Sequence, residues 1–237
     1  MCPLDDWIRT LPKNDQPFVA ETTSELWDVF SDLKRKGYLR PTLESKQRKD
    51  FPEIFRTSDG LFEVFNMLFT IPDVKGEFVY GRNKEFVEHN RKYGFNEKGY
   101  VNLLLSESLS VFIRNVELFR SSFLFVLETT KRPRKKKRGG RKEFYHRMGI
   151  GELLNRLVSI CGSNGKKIRD KVDVKLRNGL THGLVWMDGL TLHYSEDITF
   201  TEIKKIRLDE LWKNARDQSK VTQSLIKLVP AWYSGDC

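Results

Sequence analysis

Arg177, Asn178 and His182 lie close together in the chain and could do chemistry as a group. A guanidinium forks onto phosphate oxygens and offsets charge that builds up during reaction. An imidazole takes and gives a proton near neutral pH. An amide beside them can orient the imidazole or bind a phosphate oxygen. Together they could hold a phosphodiester and move a proton. Leu176, Leu180 and Leu184 recur every fourth residue, with Val172 a turn earlier. That spacing predicts an amphipathic helix over about residues 168–186, with one apolar ridge. Asn178 and His182 then share a polar face. Arg177 and His182 stand about 140° apart around the axis, close enough for long side chains to converge on one ligand. A core helix with ordinary polar residues on its wet side has the same pattern. Gly179 costs such a helix about 1 kcal/mol relative to Ala, which suggests close approach of a partner helix or of RNA.

The Arg–His spacing recurs elsewhere. Arg141 and His146 match it, and Arg82 with Asn83 and His89 matches it with a longer gap. Context separates the three. Arg141 follows Gly139 and Gly140 at the end of a charge run, and Lys142 is a poor polar partner. Arg82 has no strong helix before it. Arg177 alone sits in an amphipathic helix that follows two others, and His182 alone is followed by glycine, Gly183.

The 237 residues allow one large domain or two small ones, and 39% hydrophobic content argues against global disorder. No apolar run approaches the roughly 18 residues that span a bilayer. The N-terminal residues lack a basic start and an apolar run, so a cytoplasmic protein is expected. Cys2, Cys161 and Cys237 are scattered, as are the four histidines, and neither set has the spacing of a zinc site. Reduced thiols, no metal and no cofactor are expected. The formal charge is +10, but residues 131–147 carry ten Lys or Arg against one acid, Glu143, so the rest is close to neutral. Within that run Lys131, Arg132, Arg134, Lys135, Lys136, Lys137, Arg138, Arg141 and Lys142 are the candidate RNA contacts. Such a loop offers phosphate contacts without base readout, so binding should be salt-sensitive and weakly selective. A nuclear-localisation-like signal or a solvated loop would have the same composition. Phe144, Tyr145 and His146 beyond it could stack bases or re-enter the core.

Taken in order, residues 1–20 hold Pro3, Pro12 and Pro17 and read as an irregular arm with a short turn at 6–11. Thr22 and Glu25 read as a capping box for a helix ending before Gly37. Short helices are expected at 43–51 and 83–93, a buried helix at 59–69 and a strand at 77–80. Residues 100–128 form a long helix apolar over more than half its circumference, which must be packed on two sides. Helix 149–160 follows, then a loop at 161–166 by composition. Residues 184–187 and 190–194 read as a hairpin around Asp188 and Gly189, with a further strand at 198–201. His193 and Tyr194 read as structural and His89 as a surface residue. A last helix starts at 201–205 or 208–209 and ends at Pro230, leaving a frayed tail in which Trp232 and Tyr233 could dock.

The segment Arg177-Asn178-Gly179-Leu180-Thr181-His182-Gly183 resembles the R-polar-x3-H signature of HEPN domains (higher eukaryotes and prokaryotes nucleotide-binding). The resemblance covers roughly residues 100–229. It implies an all-α HEPN-type helical bundle at 100–237, with residues 1–99 as an N-terminal helical extension and the hairpin after the motif helix. It also implies a metal-independent endoribonuclease in which the RNA 2′-OH attacks the adjacent phosphate. Arg177, Asn178 and His182 are the catalytic positions it implies. One Arg and one His are too few for a full acid–base pair, and the family supplies a second copy through a two-fold homodimer. A further acidic or amide residue on an earlier helix is implied, with Glu107 and Asn115 as candidates. Host-defence, abortive-infection or toxin activity is the expected setting, with RNA as substrate and an antitoxin or complex partner as a further possibility. A binding module that grips RNA without cutting, or an inert regulatory subunit, would share the bundle.

Overall fold

A computed structural model describes residues 3–43, 97–127 and 148–235 of the chain. These residues are mostly helical, with one small antiparallel sheet. In chain order they form α1 (Pro3–Thr10), α2 (Gln16–Arg35), α3 (Glu97–Val126), α4 (Ile150–Cys161), α5 (Ser163–Asp170) and α6 (Val174–Thr181). Strands β1 (Val185–Asp188), β2 (Thr191–Tyr194) and β3 (Lys204–Arg207) follow, then α7 (Leu208–Ser234). The expected elements at 43–51 (beyond Leu43), 59–69, 77–80 and 83–93 lie outside the described residues. So do the basic segment 131–142, Phe144, Tyr145, His146, Arg82, Asn83, His89, Cys2 and Cys237.

Two compact units divide the described residues. One holds 3–43, 115–127, 148–174 and 220–235, and the other holds 97–114 and 175–219. The core of the first is built from apolar stripes at helical spacing. Leu26, Val29, Phe30 and Leu33 of α2 are buried, as are Phe119 and Phe123 of α3, Leu153, Leu154 and Leu157 of α4, and Leu225 and Val229 of α7. Phe30 and Phe123 meet edge to face at 5.6 Å. Trp232 closes the cluster against Trp27 at 4.6 Å and Phe30 at 5.6 Å.

The first forty residues differ from expectation because proline serves as a helix starter there. Pro3 opens α1, and Pro17 sits in the first turn of α2, where its fixed φ suits the helix and its missing N–H costs nothing. Thr22 is therefore an interior residue of α2, fully buried, and not a cap. Asp15 precedes the helix, and its carboxylate pairs with Lys220 at 2.8 Å; both side chains are buried. The end of α2 is as expected: Gly37 has φ +69, with bonds from Gly37 N to Lys34 O and from Tyr38 N to Leu33 O, a Schellman motif.

Residues 161–166 are not a loop. Gly162, at φ +60, turns the chain directly from α4 into α5. Gly165 is a packing glycine, since a Cβ there would come within 2.3 Å of the Leu157 carbonyl oxygen. Composition reads these glycines as loop because it cannot distinguish a turn from a close approach. Nor does α7 stop at Pro230; it continues to Ser234. Proline removes one backbone bond, but the last turn is held by the Trp232 rings and by Tyr233, whose hydroxyl donates to Arg40 O at 2.9 Å. Burial pushes the Tyr233 hydroxyl up to about 12, against a smaller opposing effect from Arg40.

Candidate functional site

The helix that carries Arg177, Asn178 and His182 is shorter than its apolar spacing predicts. It runs over Val174–Thr181, and the chain before it belongs to α5. The break falls at Lys171, Val172 and Asp173, and aspartate is a residue type that favours the start of a new helix. Leu176 is fully buried, whereas Leu180 and Leu184 are half-buried, and Leu184 lies past the helix end. The ridge therefore continues only in part.

Gly183 has φ +69 and ends the helix. His182 N donates to Asn178 O at 3.0 Å, Gly183 N to Leu180 O at 3.3 Å, and Leu184 N to Gly179 O at 2.9 Å. This is a second Schellman motif, with His182 at the C-cap. The glycine after the histidine thus has a backbone reason: an L side chain is strained at that φ.

Three ties set α6 against the hairpin of its own unit. Gly179 is buried, and a Cβ there would lie 2.9 Å from Ser195 O and 3.2 Å from Tyr194 Cβ. The close approach that this glycine permits is to the end of β2. Ser195 N donates to Leu184 O at 3.0 Å, joining the residue after β2 to the exit from α6. Lys175 meets Glu196 at 3.2 Å and Glu202 at 3.8 Å, and Glu202 also meets Lys204 of β3 at 3.6 Å. Each of these exposed pairs is weak alone, but they agree in placement.

Arg177 and Asn178 are brought together: the guanidinium Nη1 donates to Asn178 Oδ1 at 3.1 Å, and both side chains are half-buried. Thr181 Oγ1 donates to the Arg177 carbonyl at 2.8 Å, so it closes the helix and not the site. His182 is exposed, and among the described residues its imidazole makes no hydrogen bond. Asn178 thus orients Arg177, and His182 presents its ring to solvent one turn on. Of the two candidates on an earlier helix, Asn115 is buried in α3, where its carbonyl accepts from Thr222 Oγ1 at 3.0 Å. Glu107 lies on α3. No group of three or more His, Cys, Asp or Glu that could hold a metal ion occurs among the described residues.

The expected strand at 198–201 is instead a clasped loop. Asp197 Oδ1 accepts from the backbone of Thr199 at 2.9 Å and of Thr201 at 3.4 Å, and from the Thr199 hydroxyl; Oδ2 accepts from the Thr201 hydroxyl at 2.8 Å. Those bonds from Thr199 and Thr201 hold the Asp197 carboxyl down at about 2. An Asp followed by two hydroxyl residues at alternate positions signals this turn in the sequence, but the alternation reads equally as a strand. The third strand comes later, at 204–207, and pairs antiparallel with β2, with Leu192 opposite Ile206.

Comparison with protein-family models, with curated proteins and with solved structures finds no match to this chain. No helix among the described residues is long and apolar enough to cross a membrane.

Proposed function

We propose that this chain is a metal-independent endoribonuclease of HEPN type, acting in the cytoplasm as a homodimer in host defence or a toxin–antitoxin system. The observation that carries the reading is the end of α6. Arg177 is braced by Asn178, while His182 at the C-cap is exposed and free of side-chain bonds among the described residues. A phosphate needs a fixed guanidinium, and a proton carrier needs an open imidazole. In the proposed reaction His182 takes the proton of the RNA 2′-OH. The 2′ oxygen attacks the adjacent phosphorus, and the bond to the 5′ oxygen breaks. The leaving oxygen takes its proton from a second histidine, that of the other copy of the chain. Arg177 offsets charge on the phosphate oxygens. Residues 131–142 bring the RNA through phosphate contacts.

Incubation with a mixed RNA pool in EDTA tests this. The wild type should cut, and Arg177→Ala and His182→Ala should each lose cutting by about a hundredfold or more. Salt-dependent binding without cutting, lost on deletion of residues 131–142, would instead identify a binding module. A strict monomer in sedimentation at micromolar concentration would contradict the paired site.

A further inference from the structure

The outer face of the sheet carries an arrangement that the proposed cleavage site does not use. The register aligns Trp186, His193 and Lys205 across the three strands, and Asp188, Thr191 and Arg207 in the row beside them. Side chains alternate along a strand, so these two rows share one face. The other face carries Leu192 and Ile206, both buried, and is the inner one. On the outer face the Trp186 ring stacks on His193 at 5.0 Å, with 22° between the planes. His193 is thereby covered, but Trp186 remains 40% exposed. Phe200 comes from the clasped loop and lies 6.0 Å from Trp186, edge to face, and it too is 40% exposed.

Phe200 is held there against its own backbone preference. Its φ is +52, in a region that aromatic residues rarely adopt, and it is the one non-glycine residue with positive φ among the described residues. The Asp197 clasp spans it from both sides. The turn that Asp197 closes sets this conformation and leaves the Phe200 ring beside Trp186, partly exposed.

Cations flank the rings. Lys205 has no carboxylate partner among the described residues. Arg207 meets Asp209 at 3.1 Å yet is 66% exposed. Asp188 is the one acid in the two rows. Exposed aromatic rings beside exposed cations are one means by which proteins bind unpaired nucleotides: bases stack and phosphates meet the charges. A second copy of the chain packed on this face would bury Lys205, whose charge meets no carboxylate among the described residues.

We propose that the outer face of β1–β3, with Trp186 and Phe200 as its stacking surfaces and Lys205 and Arg207 as its phosphate contacts, binds unpaired bases of RNA. This rests on the ribonuclease reading for the identity of the ligand, and it deepens that reading by naming a surface away from Arg177 and His182 that holds the RNA. A base pair within a duplex has no free face to offer, so duplex RNA should not use this surface.

The test is binding of a short, unstructured 2′-O-methyl RNA, measured by fluorescence anisotropy. It has no 2′-OH to attack, so the result does not depend on Arg177 or His182 cutting. Trp186→Leu, which keeps apolar bulk without a ring, should weaken binding about tenfold, and Trp186→Phe should stay within about threefold of wild type. Binding of a duplex of the same length should be unchanged in both. An abasic oligonucleotide should bind wild type more weakly than the intact one, but Trp186→Leu should scarcely distinguish them. Thermal melting of each variant confirms that it is folded. Equal binding by the Leu and Phe variants overturns the proposal, as does equal loss for single strand and duplex. A lower sedimentation coefficient in Trp186→Leu also overturns it, and marks the face as a self-association surface. If RNA is cut but Trp186 has no effect on binding, this proposal alone fails; if Trp186-dependent binding occurs without any cutting, only the ribonuclease reading fails.

Discussion

Trp232 and Trp186 are both followed over a short distance in space by other rings, but to opposite ends. Trp232 turns its ring into Trp27 and Phe30, and the aromatic cluster of its unit closes around a helical core. Trp186 stacks on His193, makes an edge-to-face contact with Phe200, and remains 40% exposed. Two sets of charges differ in the same way. Asp15 and Lys220 are buried and paired in the first unit, whereas Lys205 and Arg207 stand exposed in the second. The first unit spends its aromatics on stability. The second also buries Phe112, Tyr194 and Trp212, but it keeps Trp186 and Phe200 accessible on the outer side of its three-stranded sheet.

The comparison can be broken at several points. The largest effect should come from Lys220→Met, which leaves Asp15 buried beside an apolar chain. Stability should fall by about 3–5 kcal/mol in urea unfolding, and adding Asp15→Leu should restore much of it. Phe30→Ala, a fully buried ring, should cost about 3–5 kcal/mol, while Trp186→Ala should cost about 1 kcal/mol. Equal losses for the two aromatic changes would erase the distinction between the units. Gly179→Ala should destabilise by about 1–3 kcal/mol despite its better helix propensity, because the new Cβ meets a backbone oxygen at 2.9 Å. Cleavage should fall with it, since α6 can no longer lie against β2. The smallest effect concerns acid. The Asp197 carboxyl is held at about 2 in the fold against an ordinary 3.8. Its stabilising effect is therefore complete above the unfolded value and is lost as pH falls from near 3.8 through about 2. The fluorescence of Trp186 beside Phe200 should change in that window, and in Asp197→Asn the altered signal should already be present at neutral pH.

The sequence makes some of this legible and hides the rest for physical reasons. Long apolar periodicity reveals α3 and α4, because a buried stripe has to repeat at the helical spacing. The hairpin is legible from Asp188 and Gly189, and Gly189 does adopt φ +56. Proline and glycine mislead where their role is positional: Pro3 and Pro17 start helices, and Gly165 lets two helices touch. At the candidate site, the Arg177–Asn178 bond is not legible, because neighbours one apart on a helix do not ordinarily face each other and the spacing points Asn178 toward His182 instead. The exposure of His182 follows from a Schellman end that Gly183 signals. That Gly179 faces Tyr194 and Ser195 could not be read, since it depends on how the chain returns after the hairpin. The outer aromatic face escapes pattern reading as well, because Phe200 lies in a loop that alternates like a strand.

The most direct test of the ribonuclease account is the chemistry of the product ends. A defined single-stranded RNA is incubated with wild type in EDTA, and the fragments are weighed by mass spectrometry. Attack by the 2′-OH leaves a 2′,3′-cyclic phosphate on one fragment and a 5′-hydroxyl on the other, with no cut at a site whose 2′-OH is methylated. Fragments ending in 3′-hydroxyl and 5′-phosphate, cutting at the methylated site, or the same cyclic ends from His182→Ala at wild-type rate would contradict it.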